Sequence, residues 1–504
     1  MNRVTAWIDR VLGRITMYLL VVVVLAVVGL VALVLALTDA ISIDPLAILA
    51  SAAVLLAASW IANQVLGLAF RSRPLVESGV ITALLLLFVL EPTLDPAGLL
   101  FLALAAAIAA LSKYVIAWRG RHLVNPAAFA AVVVGVTGLA FSSWWVATPP
   151  LLPVVALGAL LILWRTRRLG MGLVYIAVAG GVLLVRFLLF GSDVPTALAF
   201  TFLSSPVVFA AGFMLSEPLT MPPRAWQRIL YAVVTGLLTS VPFTIGPFRN
   251  TTELALVIGG VLAFLLGQRR GVTLELASKR QLTPTAWEFR FRPTAHVRFA
   301  PGQYLELTIP HHRPDLGGIR RVFSVASAPG DPEVAVGVRV REQASSFKRA
   351  LVALEPGARI RATGVWGDFT LPRHADAKLA FVAAGIGVTP FVSHLGALAA
   401  AGRAGDAELL YAVRSASDLA YRDELAATGC RVAVLSPDDP GELPAGWTWL
   451  GAGALDADTV LRAIPDAAER HVYLSGAPAD VARLRRALRA AGARRIRTDV
   501  FLGY

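Results

Sequence analysis

Three short clusters carry residue types that could hold an anionic, redox-active group. Arg321-Val-Phe-Ser-Val-Ala-Ser327 sets an arginine, an aromatic ring and a serine along one stretch. An arginine pairs with a pyrophosphate through parallel donors, an aromatic ring packs on a flat heterocycle, and a serine hydrogen-bonds the heterocycle's edge, which is the logic of a flavin site. Ala344-Ser-Ser-Phe-Lys-Arg-Ala-Leu351 puts Ser345 and Ser346 at a helix start ahead of two basic residues, a second place for phosphate. In Leu379-Ala-Phe-Val-Ala-Ala-Gly-Ile-Gly-Val-Thr-Pro-Phe391 an apolar run ends in Gly385 and Gly387, and Thr389-Pro390 opens a helical pattern to Ala401. Glycines let the backbone approach a pyrophosphate, helix-start amides face the anion, and Pro390 suits a first turn. Each cluster also has an ordinary reading: a strand with Phe323 in the core, an N-cap, a strand-to-helix turn.

The elements around them are of two kinds. From Val272 to about Pro372 short segments alternate with period two between Pro and Gly punctuation, as in Leu274-Glu-Leu-Ala-Ser278, Trp287-Glu-Phe-Arg-Phe291 and Tyr304-Leu-Glu-Leu-Thr-Ile309. That pattern predicts an antiparallel β-barrel over 271–374. From Lys378 onward strand-like runs (Leu379–Val382, Glu408–Val413, His471–Leu474) alternate with helical patterns, which predicts an α/β parallel-sheet domain over 375–504.

The first 270 residues are different. The chain is 504 residues long and 57% hydrophobic with a formal charge of +13, but up to Arg270 long apolar runs dominate. Runs such as Met17–Leu37 cannot be hidden in a soluble core, so residues 1–270 are predicted to be a polytopic α-helical membrane domain. Apolar segments recur at 15–37, 45–70, 76–91, 98–118, 126–142, 149–164, 170–190, 197–215, 227–245 and 253–267, about ten spans. With the N-terminus inside, the loops placed in the cytoplasm carry Arg71 and Arg73, Arg119 and Arg121, Arg165, Arg167 and Arg168, and Arg224 and Arg228. The outer loops carry Asp39, Asp44, Asp95 and Asp193, with Arg249 the one basic exception. This satisfies the positive-inside rule and makes the domain N-in and C-in, with the second half cytoplasmic at the inner (plasma) membrane.

Composition removes several classes. The arginines lie between apolar runs rather than in a basic domain interleaved with aromatics, so nucleic acid is not an expected partner. Cys430 is the single cysteine, which excludes an intrachain disulfide, a Cys-ligated iron–sulfur cluster and a thiolate zinc site. No metal is expected. The membrane half holds only His122, too few histidines for a bis-histidine haem relay. Its other polar residues include Asn63, Gln64, Thr82, Lys113, Asn125, Arg186, Glu217 and Thr220; at membrane depth such groups face the bundle interior or a site, or snorkel to the interface.

Taken in order, Pro301-Gly-Gln-Tyr304, Arg321-Val-Phe-Ser324, Ser345-Ser346, Gly364-Val-Trp-Gly-Asp-Phe369, Gly385-Ile-Gly-Val-Thr-Pro390, Tyr411-Ala-Val-Arg-Ser415, Tyr473-Leu-Ser-Gly476 and Phe501-Leu-Gly-Tyr504 resemble the ferredoxin–NADP⁺ reductase superfamily across 272–504. The resemblance implies a two-domain flavin reductase in which Arg321, Phe323, Ser324, Ser345 and Ser346 hold FAD and Tyr504 lies on or near the flavin. It also implies that Gly385, Gly387, Thr389, Pro390, Arg414, Ser415 and Gly476 lie along the pyridine nucleotide, with Ser324 and Tyr504 at the catalytic position. Phe323 replaces the commoner tyrosine of that family, and Ser475 its usual cysteine. Arg414 beside Ser415 could recognise a 2′-phosphate, a lean towards NADPH.

In the first half, Glu77-Ser-Gly-Val-Ile-Thr-Ala83, Lys113, Arg121-His-Leu-Val-Asn-Pro-Ala-Ala128 and Ser216-Glu-Pro-Leu-Thr-Met-Pro222 resemble the membrane flavin subunits of Rnf complexes and of the sodium-pumping NADH:quinone reductase. That family's Ser- or Asp-Gly-x-Thr flavin-attachment motif is absent, and Thr196 is the nearest outward-facing threonine. The resemblance implies a candidate membrane redox site near Thr82, Lys113, His122, Asn125, Glu217 and Thr220, holding a noncovalent FMN or riboflavin, or a quinone. The two halves together predict a membrane-bound NAD(P)H-dependent oxidoreductase passing electrons via FAD to a quinone or an extracytoplasmic flavoprotein. The alternative is a transporter or channel with an NAD(P)H-sensing flavin domain.

Overall fold

Asx–proline pairs start three of the helices among the first 270 residues. Asp44, Asp95 and Asn125 stand immediately before Pro45, Pro96 and Pro126, and their side chains accept from the amides of Leu46, Gly98 and Ala128. Each cap satisfies an orphan N–H at a position where the proline loses none. The computed structural model describes residues 15–71, 75–118, 121–267, 271–315, 318–372, 374 and 376–501. Residues 15–270 form one compact unit and the chain from Gly271 another.

Every apolar segment expected to be helical contains helix, but the lengths differ from a ten-span bundle. Among the described residues four helices are long and apolar enough to cross a membrane: Met17–Leu37, Pro45–Ala69, Pro96–Val115 and Leu169–Leu189. A fifth span results if Val194–Leu203 and Val207–Met214, bent by 41°, count as one. Val76–Val89, Leu152–Arg165 and Thr252–Leu266 have only 14 or 15 residues and Pro126–Val136 only 11. At 1.5 Å per residue these fall short of a hydrocarbon core about 30 Å thick. The reason is local: the apolar composition continues past points where the backbone has already turned, as at Gly138 with φ 72°. Within the broken span, Ala199–Leu203 and Ala210–Met214 are π-helical. Close approach there uses glycine: a Cβ on Gly212 would lie 2.6 Å from the Ala159 Cα, and one on Gly158 would lie 2.4 Å from Val24.

In the second unit six strands form the first sheet: β1 (Val272–Thr283), β2 (Ala286–Pro293), β3 (Tyr304–Thr308), β4 (Arg320–Ser324), β5 (Val334–Arg339) and β6 (Arg359–Trp366). They pair antiparallel in the order β4-β3-β6-β1-β2-β5. A bridge between Val325 and Val336, with the Ala326 amide donating to the Ala335 carbonyl at 2.8 Å, joins the two ends and closes the barrel. The period-two reading of β1 corresponds to buried Val272, Leu274 and Leu276, which meet Phe289, Phe291, Leu305 and Leu307 in the barrel core.

The second sheet comprises β7 (Leu379–Ala384), β8 (Ala407–Ala412), β9 (Arg431–Leu435), β10 (Trp447–Trp449), β11 (His471–Gly476) and β12 (Ile496–Val500). All pairs are parallel, in the order β10-β9-β8-β7-β11-β12. The chain leaves β7 first towards β8 and later returns to β11 on its other side. The strand order therefore reverses beside β7, and ligands of open α/β sheets bind at the carboxyl ends of strands at such a point.

Candidate functional site

Strand β4 sorts its side chains by alternation. Arg321 and Phe323 are buried on one side while Val322 between them is 54% exposed. Phe323 stacks on Phe347 at 5.8 Å, and the Arg321 guanidinium sits 5.4 Å from the centre of the same Phe347 ring. Arg321 donates to the carbonyls of Gly318 (3.1 Å) and Arg320 (2.7 Å) and to the Asp315 carboxylate (3.3 Å). The other oxygen of Asp315 accepts the Ser346 amide at 2.7 Å. The Ser346 hydroxyl accepts the Asp315 amide and pairs with His311 Nε2, both at 2.9 Å. Ser345 caps the Ser346–Val352 helix by accepting the Lys348 amide. Arg321, Ser345 and Ser346 are thus brought together, and the donors of two of them converge on one carboxylate.

Asp315 and His311 escaped the sequence reading as site residues, and Lys348 entered it only as one of the two basic residues after Ser346. Burial pushes the Lys348 ammonium down to about 8, and the neighbouring cations Arg321, Arg341 and Arg339 push the same way. Ser324 donates to the Asp499 carboxylate on β12 at 3.2 Å. Asp499 is partly exposed as a residue, yet its carboxyl head is enclosed; burial pushes it up to about 6, against the Ser324 hydroxyl and the Val500 amide, which favour the anion. Tyr504 lies outside the described residues.

At the end of β7 the chain turns through Gly385 in the left-handed region, φ 55°. Gly387 has no room for a side chain: a Cβ would lie 2.6 Å from the Ser475 carbonyl oxygen. Thr389 opens the Thr389–Ala400 helix, its hydroxyl donating to the Ile386 carbonyl at 2.7 Å, and Pro390 follows in the first turn. Gly476 packs against Ala384, and the buried Ser475 hydroxyl beside it makes no hydrogen bond.

A cleft of about 250 Å³ lies between this turn and the barrel, lined by Gly385, Ile386, Arg414 and Asp480 from the α/β side and by Thr285, Arg339 and Arg341 from the barrel. Asp418 ties the two sides together, accepting from Thr285 at 3.0 Å and pairing with Arg339 at 3.6 Å. Burial depresses the Arg339 guanidinium, and Arg341 and Arg414 add to the depression while Asp418 opposes it. The cleft therefore holds crowded cations, a setting that favours an anion. The barrel arginines were missed because nothing local marks them; only the packing turns them to face Gly385. Ser415, expected to help with a 2′-phosphate, instead donates to Asp438 at 2.9 Å, and the Ala416 amide donates to both oxygens of that carboxylate at 3.0 Å.

In the first unit, most of the polar residues singled out fall into linked groups. The Lys113 ammonium donates to the Ser78 carbonyl (3.0 Å) and hydroxyl (3.2 Å), and Thr82 donates to the same carbonyl. Glu217 accepts from Thr220 at 3.3 Å and faces His122 Nδ1 at 3.9 Å. Lys113 is within electrostatic reach of Glu217, which links the two groups. Asn125 is used as a helix cap and donates to the Met214 carbonyl at 3.5 Å. A buried carboxylate the sequence reading passed over, Glu253, accepts from the Trp144 indole at 3.1 Å. Among the described residues no group of three or more His, Cys, Asp or Glu side chains is arranged to hold a metal ion.

Residues 381–483 match the family described as the oxidoreductase NAD-binding domain. Ferredoxin--NADP reductase B of Sorangium cellulosum is 38% identical over 155 residues, 30% of this chain and 62% of that protein. The stachydrine N-demethylase reductase subunit Stc4 of Rhizobium meliloti is 27% identical over 229 residues, 44% of this chain and 63% of that protein. The chain thus spans less than two thirds of the length of these curated relatives. The solved structure of a ferredoxin NADP⁺ reductase from Neisseria gonorrhoeae with bound FAD and NADP aligns with 47% of this chain and all of that one, at 19% identity and a TM-score of 0.39, and carries no functional weight. Over its C-terminal part, then, the chain is similar to reductases, and within that part residues 381–483 match an oxidoreductase NAD-binding domain.

Proposed function

We propose that the chain is a membrane-bound, NAD(P)H-dependent FAD oxidoreductase. The observation that carries the reading is the pairing of two anion sites in one unit. Arg321 and the Ser346 amide converge on a single carboxylate, and a glycine turn with Arg414 beside it faces Arg339 and Arg341 across a cleft of about 250 Å³. The first donor set fits FAD, because a guanidinium and a backbone amide that already share one anion are spaced for a pyrophosphate. When bound, FAD accepts a hydride from a nicotinamide and releases electrons singly.

The chain's own residues then have distinct tasks. Arg321, Ser345 and Ser346 hold the flavin pyrophosphate, and Phe323 shapes the wall behind it. Ser324 and Asp499 present a hydroxyl–carboxyl pair able to hold a proton. Gly385 and Gly387 let the nicotinamide dinucleotide approach, Arg339, Arg341 and Arg414 neutralise its phosphates, and Thr389 and Pro390 fix the helix beneath it.

Residues 15–270 are read as the membrane part, with at least four spans and an N-in, C-in orientation. Its resemblance to Rnf and sodium-pumping reductase subunits, together with the Lys113–Glu217–His122 group, supports a second redox site holding a noncovalent flavin or a quinone. The terminal acceptor is then a quinone or an extracytoplasmic flavoprotein. The test is a detergent-purified preparation assayed for FAD per chain and for bleaching by NADH or NADPH without oxygen. One bleachable FAD supports the reductase and a second flavin supports transfer through the membrane part; a colourless protein that cannot be reconstituted ends the reading.

A further inference from the structure

The last helix and strand of the reductase unit carry a basic face that neither the flavin site nor the nucleotide cleft uses. Residues 481–498 contain seven arginines and no carboxylate. The Pro478–Ala490 helix buries Val481, Leu484 and Leu488, which turns Arg485, Arg486 and Arg489 outward at positions three and four apart. Arg494 and Arg495 follow, also exposed, in the turn before β12. Two of the seven are accounted for: Arg483 pairs with Asp480 at 3.0 Å, and Arg497 lies over the Tyr473 ring and donates to the Thr370 carbonyl. Among the described residues the remaining five form no ion pair.

A solvated face normally mixes charges of both signs. The helix macrodipole favours a cation in the last turn, which accounts for Arg489 and for none of the other four. The crowding is felt by the neighbours: His471, at the start of β11, is pushed down by partial burial and then by Arg495, Arg497 and His374.

Topology decides what this face can meet. The helix leaves β11 at Gly476 and runs back beside parallel strands, so Arg489, Arg494 and Arg495 lie at the amino-terminal edge of the sheet. Gly385, Arg414 and the cleft lie at the carboxyl edge, as does Asp499 near the end of β12. An electron carrier must come near the Ser324–Asp499 side, whereas a ligand on the basic face leaves both sites open. The chain also passes from the apolar Thr252–Leu266 helix to β1 at Val272 through residues 267–271 only, which holds this unit at high effective concentration beside any bilayer its own helices enter.

We propose that Arg485, Arg486, Arg489, Arg494 and Arg495 form a docking surface for anionic phospholipid headgroups. This rests on the reading of residues 15–270 as membrane-spanning. Phosphodiester headgroups match guanidinium forks, and each basic residue near an anionic surface contributes about a fivefold gain in partition. The surface fixes the reductase unit to the leaflet by the edge opposite its substrate cleft.

The full-length chain, with Ala490→Cys carrying a donor dye, is reconstituted in phosphatidylcholine vesicles with or without phosphatidylglycerol and with a headgroup acceptor dye; the buried native Cys430 stays unlabelled. Energy transfer is expected to rise when phosphatidylglycerol is present, to fall at high salt, and to return to the phosphatidylcholine value in R485Q/R486Q/R489Q/R494Q/R495Q. These side chains are exposed and outside the cleft, so NADH–ferricyanide turnover stays unchanged. Transfer that ignores lipid composition, or survives the five substitutions, overturns the proposal while leaving the membrane reading intact. A chain that washes off vesicles in alkaline buffer overturns both. Loss of reduction of a small acidic [2Fe–2S] ferredoxin in the variant, with transfer unchanged, assigns the face to an acidic protein and also overturns it.

Discussion

The Ser324 hydroxyl donates to the Asp499 carboxylate at 3.2 Å, tying the barrel strand that carries Arg321 to the last strand of the parallel sheet. The contact spans 175 positions of sequence and joins the two subdomains beside the residues assigned to the flavin. Burial holds Asp499 at about 6, above its usual 3.8. A carboxyl raised on folding contributes stability that is present below its unfolded value and lost as pH rises through the folded one. Asp499→Asn is therefore expected to raise the melting temperature at neutral pH and to remove the loss of stability that this carboxyl causes as pH rises from about 4 to 6. It should also remove any inflection near 6 in the rate of NADH-driven flavin bleaching. An unchanged pH profile in both measurements would show that this carboxyl is simply solvated.

His394 sends the opposite signal. It is fully buried on the Thr389–Ala400 helix, stacked on Phe381 at 5.5 Å, and covered by Gly302, whose missing Cβ would lie 2.4 Å from Nε2. Neither ring nitrogen makes a well-formed hydrogen bond, although the Phe369 and Pro301 backbone groups nearby favour a proton. Burial pushes the ring down to about 4 from 6.5, so stability is present above 6.5 and is lost as pH falls towards 4. The loss amounts to about 3 kcal/mol at 1.36 kcal/mol per pH unit. Asp499 opposes this trend over nearly the same window, so after His394→Leu the stability of the reductase unit to denaturant should fall as pH rises from about 4 to 6, whereas after Asp499→Asn it should rise. Identical acid titrations for the two variants would contradict both assignments.

Asp315 holds donors that a pyrophosphate needs, because Arg321 and the Ser346 amide both point at its carboxylate. Removing a competing charged acceptor is expected to strengthen FAD binding by Asp315→Ala by roughly tenfold. Titration of flavin-stripped protein with FAD measures it. Weaker binding would mean that the carboxylate supports the cradle rather than competing with the flavin.

Asp438 bears on the choice of nucleotide. Its carboxylate takes the Ser415 hydroxyl and the Ala416 amide next to the cleft residue Arg414, and both hydrogen bonds hold it below the usual carboxylate range. A 2′-phosphate meets repulsion at such a position. NADH should be the better donor, and Asp438→Ser should shift kcat/KM towards NADPH by about tenfold, the worth of one charge-assisted contact. A wild-type preference for NADPH would restore Arg414 and Ser415 as a phosphate pair.

Much of the site was legible because its signals are local. Gly385 at φ 55°, Pro390 in a first helical turn and the Ser345 cap follow from short spacings that a backbone must satisfy within a turn or two. The barrel's alternation and the helical apolar segments are legible for the same reason. The number of spans was not. Hydropathy records where the chain is greasy, whereas helix length depends on where caps and turns end the hydrogen-bond ladder, as at Gly138 and between the two π-helical stretches.

By itself the sequence determined which backbone segments could become strand, helix or phosphate-facing turn, since those choices rest on periodicity, glycine, proline and capping. Only the tertiary structure decided that Asp315, Asp418, Asp438 and Asp499 would each meet the hydroxyl, amide or guanidinium groups of the expected site, and that Arg339 and Arg341 would face the glycine turn. Except for Asp315 and Arg321, these partners lie far apart in the chain and carry no shared local pattern. What pairs Asp418 and Asp499 with their partners is the closure of the barrel onto the parallel sheet, whereas Asp315 and Asp438 meet theirs where loops within each subdomain come together.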